Sequence, residues 1–197
     1  MNKKVINKVI FIFLIVTGSS LAVFLDESPE VWCKPTNDLQ IALITVQSAW
    51  VEGDDIEFYV AFRNAGEKDM FINLGVTLAN GRNHFPTEVS LLLIDQDGQS
   101  RKLHLLGPAT ISGRMDDYAV GLGARSMHLL KLHLSEFCSP PTNEFRIKLS
   151  NGHYKATAQF NGHGALNKNT GMDWTAWNFW EGFLESPAVE FIVQKKK

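Results

Sequence analysis

The sequence predicts an all-β protein folded as an antiparallel sandwich, and three observations carry that reading. Apolar residues recur at every second position in one stretch after another, the mark of half-buried strands. Gly, Asn and Asp cluster between those stretches, where tight turns require them. No sustained helical stripe and no internal repeat is visible beyond residue 22.

The first element is of another kind. Met1 to Ala22 read as an export signal helix: Lys3, Lys4 and Lys8 give a basic start, and Val9 to Val16 an apolar run. Ser20-Leu21-Ala22 then place small residues around a cleavage site. A spanning helix needs about 20 apolar residues, and the strongly apolar core here has eight. Cleavage is therefore expected, with an anchor over Val9 to Leu25 as the alternative. Membrane contact is expected only through this signal or anchor. Cys33 stands eleven residues past Ala22, too far for a lipid-anchored mature N-terminus. The expected location is outside the cytoplasm: periplasmic, cell-surface or secreted.

Removing 22 of 197 residues leaves 175, enough for one domain with a good core. Loss of three lysines leaves 16 basic against 21 acidic residues, a net of about −5. Apart from the Lys195-Lys196-Lys197 tail the charges are interspersed, which excludes the basic stripe of a nucleic-acid binder. Two cysteines, Cys33 and Cys138, remain. In an oxidising compartment an even pair reads as a disulfide, here closing a loop worth roughly 4–5 kcal/mol on the chain-entropy model. The expected organisation is a signal over 1–22, a segment 23–37 tied to the body by that disulfide, and a sandwich domain over 38–197.

The strands follow in order. Leu39 to Val46 comes first. Next, Ile56, Phe58, Val60 and Phe62 share one face, and Asn64-Ala65-Gly66 ends that strand. Met70 to Leu74 is short. Val89 to Ile94 and Ser100 to Leu106 flank Asp95-Gln96-Asp97-Gly98, a hairpin signal. Tyr118 to Leu122 leads through Gly123-Ala124 into Met127 to Leu134, where Leu130, Leu132 and Leu134 share a face. Phe145, Ile147 and Leu149 alternate, Ser150-Asn151-Gly152 turns, and Tyr154, Ala156, Ala158 and Phe160 continue. Val189, Phe191 and Val193 form the last strand.

About seven to nine such strands read as an immunoglobulin-like sandwich. Tyr154 opens a late strand just after a turn, the place of a tyrosine corner. Ala156 stands where an antibody domain has its second cysteine, so an antibody-type disulfide is excluded.

Three stretches add a resemblance. Gly53-Asp54-Asp55-Ile56 through Asn64, Gly113-Arg114-Met115-Asp116-Asp117-Tyr118, and Trp180-Glu181-Gly182 with Ser186-Pro187 and Val189-Glu190-Phe191 span most of Asp54 to Val193. Together they resemble a group of exported bacterial proteins with an immunoglobulin-like or fibronectin-like sandwich. The resemblance implies the architecture and export, and no activity. Some bacterial proteinase-inhibitor sandwiches share the opening pattern, which makes inhibition an alternative function. The Cys pair and the insertion over Asn161 to Asn178 depart from the simple module.

That insertion is the densest chemical feature. Asn161 to Phe183 starts polar and Gly/Asn-rich, then packs Trp174, Trp177, Phe179, Trp180 and Phe183 into ten residues. Loops of this size in compact domains are functional or disordered. Trp174 and Trp177 can stack on sugar rings or grip a peptide, with Asp173, Asn178 and Asn169 supplying hydrogen bonds. The competing reading buries the tryptophans, Trp180 and Phe183 plugging one end of the sandwich.

Other features point to structure. His153 and His163 flank one expected strand and stand roughly 30 Å apart at about 3.3 Å per residue, so no metal uses both. No three or four ligands converge in sequence, as zinc requires, and no metal or cofactor is expected. Asp95-Gln96-Asp97-Gly98 lacks the later ligands of a calcium loop and reads as a hairpin turn. Asp116 or Asp117 can pair with Arg114 across a bend. Nucleophile elbow, Walker loop and dinucleotide motif are all missing. Cys138-Ser139-Pro140-Pro141-Thr142 is a stiff segment suited to an inhibitor loop or a plain connection. The function expected is non-enzymatic binding of a protein or glycan at the cell envelope. A proteinase inhibitor and a hydrolase with dispersed catalytic residues are the alternatives.

Overall fold

Alternation in the sequence becomes burial in the fold, most plainly at Ile56, Phe58, Val60 and Phe62, all of which point into the core. The computed structural model describes residues 31–78, 83–105, 113–140, 144–145, 147–165 and 178–196. The expected signal, 1–22, lies outside them, as do residues 23–30. Among the described residues, no helix is long and apolar enough to cross a membrane.

The described residues are all-β. In chain order the strands are β1 (Leu39–Thr45), β2 (Ala49–Val51), β3 (Glu57–Asn64), β4 (Met70–Leu78) and β5 (His84–Phe85). Then come β6 (Val89–Ile94), β7 (Ser100–Leu105), β8 (Met115–Leu122), β9 (Met127–His133) and β10 (Phe137–Ser139). β11 (Glu144–Phe145), β12 (Gly152–Gly162), β13 (Gly182–Glu185) and β14 (Val189–Gln194) complete the order. They form three sheets: β1-β3-β9, then β11-β10-β7-β6-β12-β14-β2 with β13 also on β12, and β5-β4-β8. Pairing is antiparallel except between β14 and β2.

The first two sheets pack face to face. Phe58 of β3 meets Phe191 of β14 edge-on at 5.8 Å, and Phe62 meets Phe160 of β12 at 5.1 Å. Burying each ring contributes about 1.5–3 kcal/mol, and edge-to-face contact adds about 0.5–1.5 kcal/mol. Asn64, at the end of β3, joins this sandwich to the third sheet. Its fully buried amide donates to the carbonyls of Lys68, Leu122 and Gly123, while its oxygen accepts the Gly66 N–H. A polar side chain at a strand end thus satisfies backbone groups that would otherwise be buried unpaired.

Several expectations hold. The β6–β7 hairpin closes at the Asp95 turn, where Oδ1 accepts the N–H groups of Asp97 and Gln99. Gly98 there takes φ +77°, the region that suits glycine. Tyr154 donates its hydroxyl to the Ser150 carbonyl at 2.9 Å, the bond of a tyrosine corner. Arg114 pairs with Asp116 at 2.9 Å.

Others need correction. Cys33 and Cys138 are free thiols, and the expected disulfide is not formed. Cys33 is committed to the edge of β1: its N–H donates to the Ile41 carbonyl, and its Sγ accepts the Ile41 N–H at 3.2 Å. Cys138 sits in a different sheet, on β10, opposite His104 and Phe145. Trp32 fastens the N-terminal segment instead. Its ring packs on Ala42 and Ala61, with the Arg63 guanidinium 4.4 Å from the ring centroid. The strand expected over 145–149 pairs only at Glu144–Phe145, although Ile147 and Leu149 are buried. Phe183 does not plug the sandwich: it is 53% exposed, because β13 turns Leu184 inward.

Candidate functional site

The outer face of the β4–β8 pair gathers the chemistry. On β4, Met70, Ile72 and Leu74 point into the core, so Phe71 and Asn73 take the opposite face. On β8, Leu122 is core and Tyr118 and Val120 pack against it, which leaves Asp117, Ala119 and Gly121 beside Phe71 and Asn73. The register pairs Phe71 with Gly121 and Asn73 with Ala119, then shifts between Asn73 and Val76. The shift is a bulge around Leu74 and Gly75.

Asn73 organises the floor. Its side chain is fully buried, and its Nδ2 donates to Asp117 Oδ1 at 2.7 Å and to the Gly164 carbonyl at 3.1 Å. Its oxygen accepts the Gly75 N–H. Asp117 is only 8% exposed. The bulge also holds the next wall, since the Glu88 N–H donates to the Leu74 carbonyl.

β12 delivers His163 to that wall. Its pairing with β6 sets Phe160 opposite Val89, and the Asn161 N–H donates to the Glu88 carbonyl. Just beyond the strand, His163 Nε2 lies 3.2 Å from Glu88 Oε1, and Nδ1 lies 2.9 Å from the Gly164 carbonyl. Partial burial opposes charging of this ring. The Gly164 carbonyl, the Glu88 carboxylate and the charge on Asp117 outweigh it, so the His163 pKa stands above the ordinary value.

Downstream, Asn178 to Trp180 return to the same strand. The Phe71 N–H donates to the Asn178 carbonyl, and the Trp180 N–H to the Phe71 carbonyl. Asn178 Nδ2 donates to the Asp69 carbonyl at 3.1 Å. The Phe71 and Phe179 rings lie 5.9 Å apart. Trp180 is buried and stacks on Phe160, with its Nε1–H donating to the Thr36 carbonyl.

Of the residues singled out from sequence, Trp174, Trp177 and Asp173 lie outside the described residues. Asn178 is described, and its side chain bonds the Asp69 carbonyl just ahead of β4. Asn73, Asp117 and Glu88 are not singled out from sequence as members of a site, and His163 is considered there only as a metal ligand. One signal was available: Asn73 is an amide in the middle of an apolar strand, where Asn is disfavoured.

Chemically, the arrangement holds a chain in place. Both His163 nitrogens face acceptors, which holds the ring between Glu88 and Gly164. Among the described residues, no three His, Cys, Asp or Glu side chains converge as for a metal. A second depression, about 650 Å³, lies over β12 and β14 between Ser48 and Gln96. Within it Lys155 pairs with Glu190 at 2.7 Å.

No protein-family model matches the chain, and no curated protein matches it. Among solved structures, it is similar to the sporulation control protein Spo0M from Bacillus subtilis, at 12% identity and TM-score 0.35. That match covers 80% of this chain and 49% of Spo0M, so the chain spans about half the length of that protein. It is also similar to AvmM, described as catalysing macrocyclization in alchivemycin A biosynthesis. There the identity is 12% and the TM-score 0.36, over 82% of this chain and 92% of AvmM.

Proposed function

We propose that the chain is an exported, non-enzymatic sandwich of immunoglobulin-like type, related to the exported bacterial group it resembles. It binds a protein or glycan partner at the cell envelope through the end built on β4 and β8. One observation carries this reading. The chain on both sides of residues 166–177 is fastened to β4, through Gly164 to Asn73 and through Asn178 and Trp180 to Phe71. Gly164 and Asn178, which flank a sequence rich in Trp, are thereby held on the β4 side, and binding residues commonly lie on segments that a scaffold positions. Export rests on the basic-then-apolar order of residues 1–22.

The test is a Trp174→Ala/Trp177→Ala double variant of the mature chain, examined on a glycan array and in pull-downs from envelope extract. Loss of the captured glycan or protein with a nearly unchanged Tm supports the proposal. A large fall in Tm would mean that these rings are core, and retained capture would place recognition elsewhere.

A further inference from the structure

Two acceptors face one imidazole at His163. The Gly164 carbonyl can only accept, so the Nδ1 it meets at 2.9 Å must carry a proton. The Glu88 carboxylate, 3.2 Å from Nε2, likewise accepts when ionised. A neutral imidazole has a single N–H and leaves one of these oxygens facing a lone pair. Only the imidazolium satisfies both.

We propose that His163 is a protonation latch: doubly protonated, it ties the chain at Gly164 to Glu88, and on losing a proton it lets that connection open. The inference rests on the reading of the β4–β8 end as the binding end, and it adds pH control of how firmly one side of that end is held.

The surroundings agree. Glu88, from the turn before β6, meets the ring directly, and Asp117 of β8 contributes its charge through space. Glu181, ahead of β13, places Oε1 within 3.0 Å of the position a Cβ would take on Gly164. The Glu88 and Asp117 carboxylates favour the charged ring. Asn73 holds the Gly164 carbonyl from β4 and does not titrate. The raised pKa fixes the direction. Stabilisation by the latch is complete below the unfolded value of about 6.5 and is lost as pH rises through the folded midpoint. The latch is thus closed in mildly acidic surroundings and opens on the alkaline side.

The experiment needs no partner. The His163 ring is titrated by NMR in the mature protein, its signals assigned by their loss in His163→Gln. In parallel, exchange of the Asn161 amide, which donates to the Glu88 carbonyl, is followed from pH 5.5 to 8.5 and corrected for intrinsic rate. A midpoint above 6.5 is expected. Opening at Asn161 should increase across it by ten raised to the difference between the midpoint and 6.5, as linkage requires. Glu88→Gln should lower the midpoint, and His163→Gln should make the exchange insensitive to pH. A midpoint at or below 6.5, or flat exchange in the wild type, overturns the latch. If the latch titrates as described while envelope capture is the same at both pH limits, the latch stands and the binding reading fails.

Discussion

Gly162 and Trp180 provide a sharp test of how the end of β12 is built. A Cβ on Gly162 would lie 2.4 Å from Trp180 Cε3 and 2.6 Å from Cζ3, where carbon atoms prefer about 3.5–4.0 Å. The indole has little room to retreat. It stacks on Phe160 at 5.6 Å, donates Nε1–H to Thr36 at 2.9 Å, and covers Gly182, where a Cβ would come within 3.0 Å. Gly162→Ala should therefore cost about 1–3 kcal/mol, the usual penalty for overpacking. Trp180→Ala alone should cost about 3–5 kcal/mol. With the indole gone, Gly162→Ala should instead stabilise by about 0.4–1 kcal/mol, because alanine restricts the unfolded chain. The double-mutant cycle should then show a coupling of at least about 1.4 kcal/mol. Urea unfolding of the protein, followed by far-UV circular dichroism, measures it without relying on tryptophan fluorescence. Where Trp180→Ala does not fold, Trp180→Phe serves, at about 1–3 kcal/mol for the unpaired Thr36 carbonyl. Equal cost of Gly162→Ala in both backgrounds would refute this packing.

Adding reductant should leave the Tm of the protein unchanged, and both cysteines should alkylate once it is unfolded. In the native state Cys33 should react slowly, since burial raises its pKa despite the Ile41 N–H it accepts; mass spectrometry of the alkylated protein checks both points. Lys131 bonds the Glu57 carboxylate at 2.6 Å and lowers its pKa, so Glu57 stabilises the fold above the unfolded carboxylate value. The Tm gap between wild type and Glu57→Gln should close as pH falls through the lowered folded midpoint.

Strands that alternate without interruption were legible in sequence, and those set by distant pairing were not. β3 carries Phe58, Val60 and Phe62 on one face, continuing the alternation from Ile56, with turn residues at its end, so local chemistry determines it. β10 and β13 have three and four residues; pairing with β7 and β12 defines them, and no local period marks them. Phe183 illustrates the cost of reading aromatic content as burial. Gly182, at φ +147°, sets the chain so that Leu184 takes the core position and Phe183 faces out. The cysteine pair misled for a related reason. Parity and compartment suggested a bridge, but the sheets place the two residues on β10 and beside β1, where each has other neighbours.

The site was less legible than the fold because its parts converge only after the sheets form. Asn73 and Gly164 are 91 residues apart, and no spacing rule connects them. What the sequence did contain is a glycine in the middle of a strand, and its position explains the convergence. At Gly75, with φ +139°, a Cβ would lie 2.4 Å from the Phe85 carbonyl and 2.6 Å from the Thr87 amide nitrogen. No side chain fits there, so the chain can bulge at this point only with glycine. The bulge shifts the β4–β8 register, so that Asn73 pairs with Ala119 yet Val76 pairs with Asp117. Asp117, two residues from Ala119 and on the same face, meets the Asn73 amide at 2.7 Å, and that amide also spans to Gly164. The same Leu74–Gly75 step offers the Leu74 carbonyl to the Glu88 N–H and so sets the carboxylate that meets His163. A residue that weakens a regular strand is here the condition for a polar cluster on its outer face.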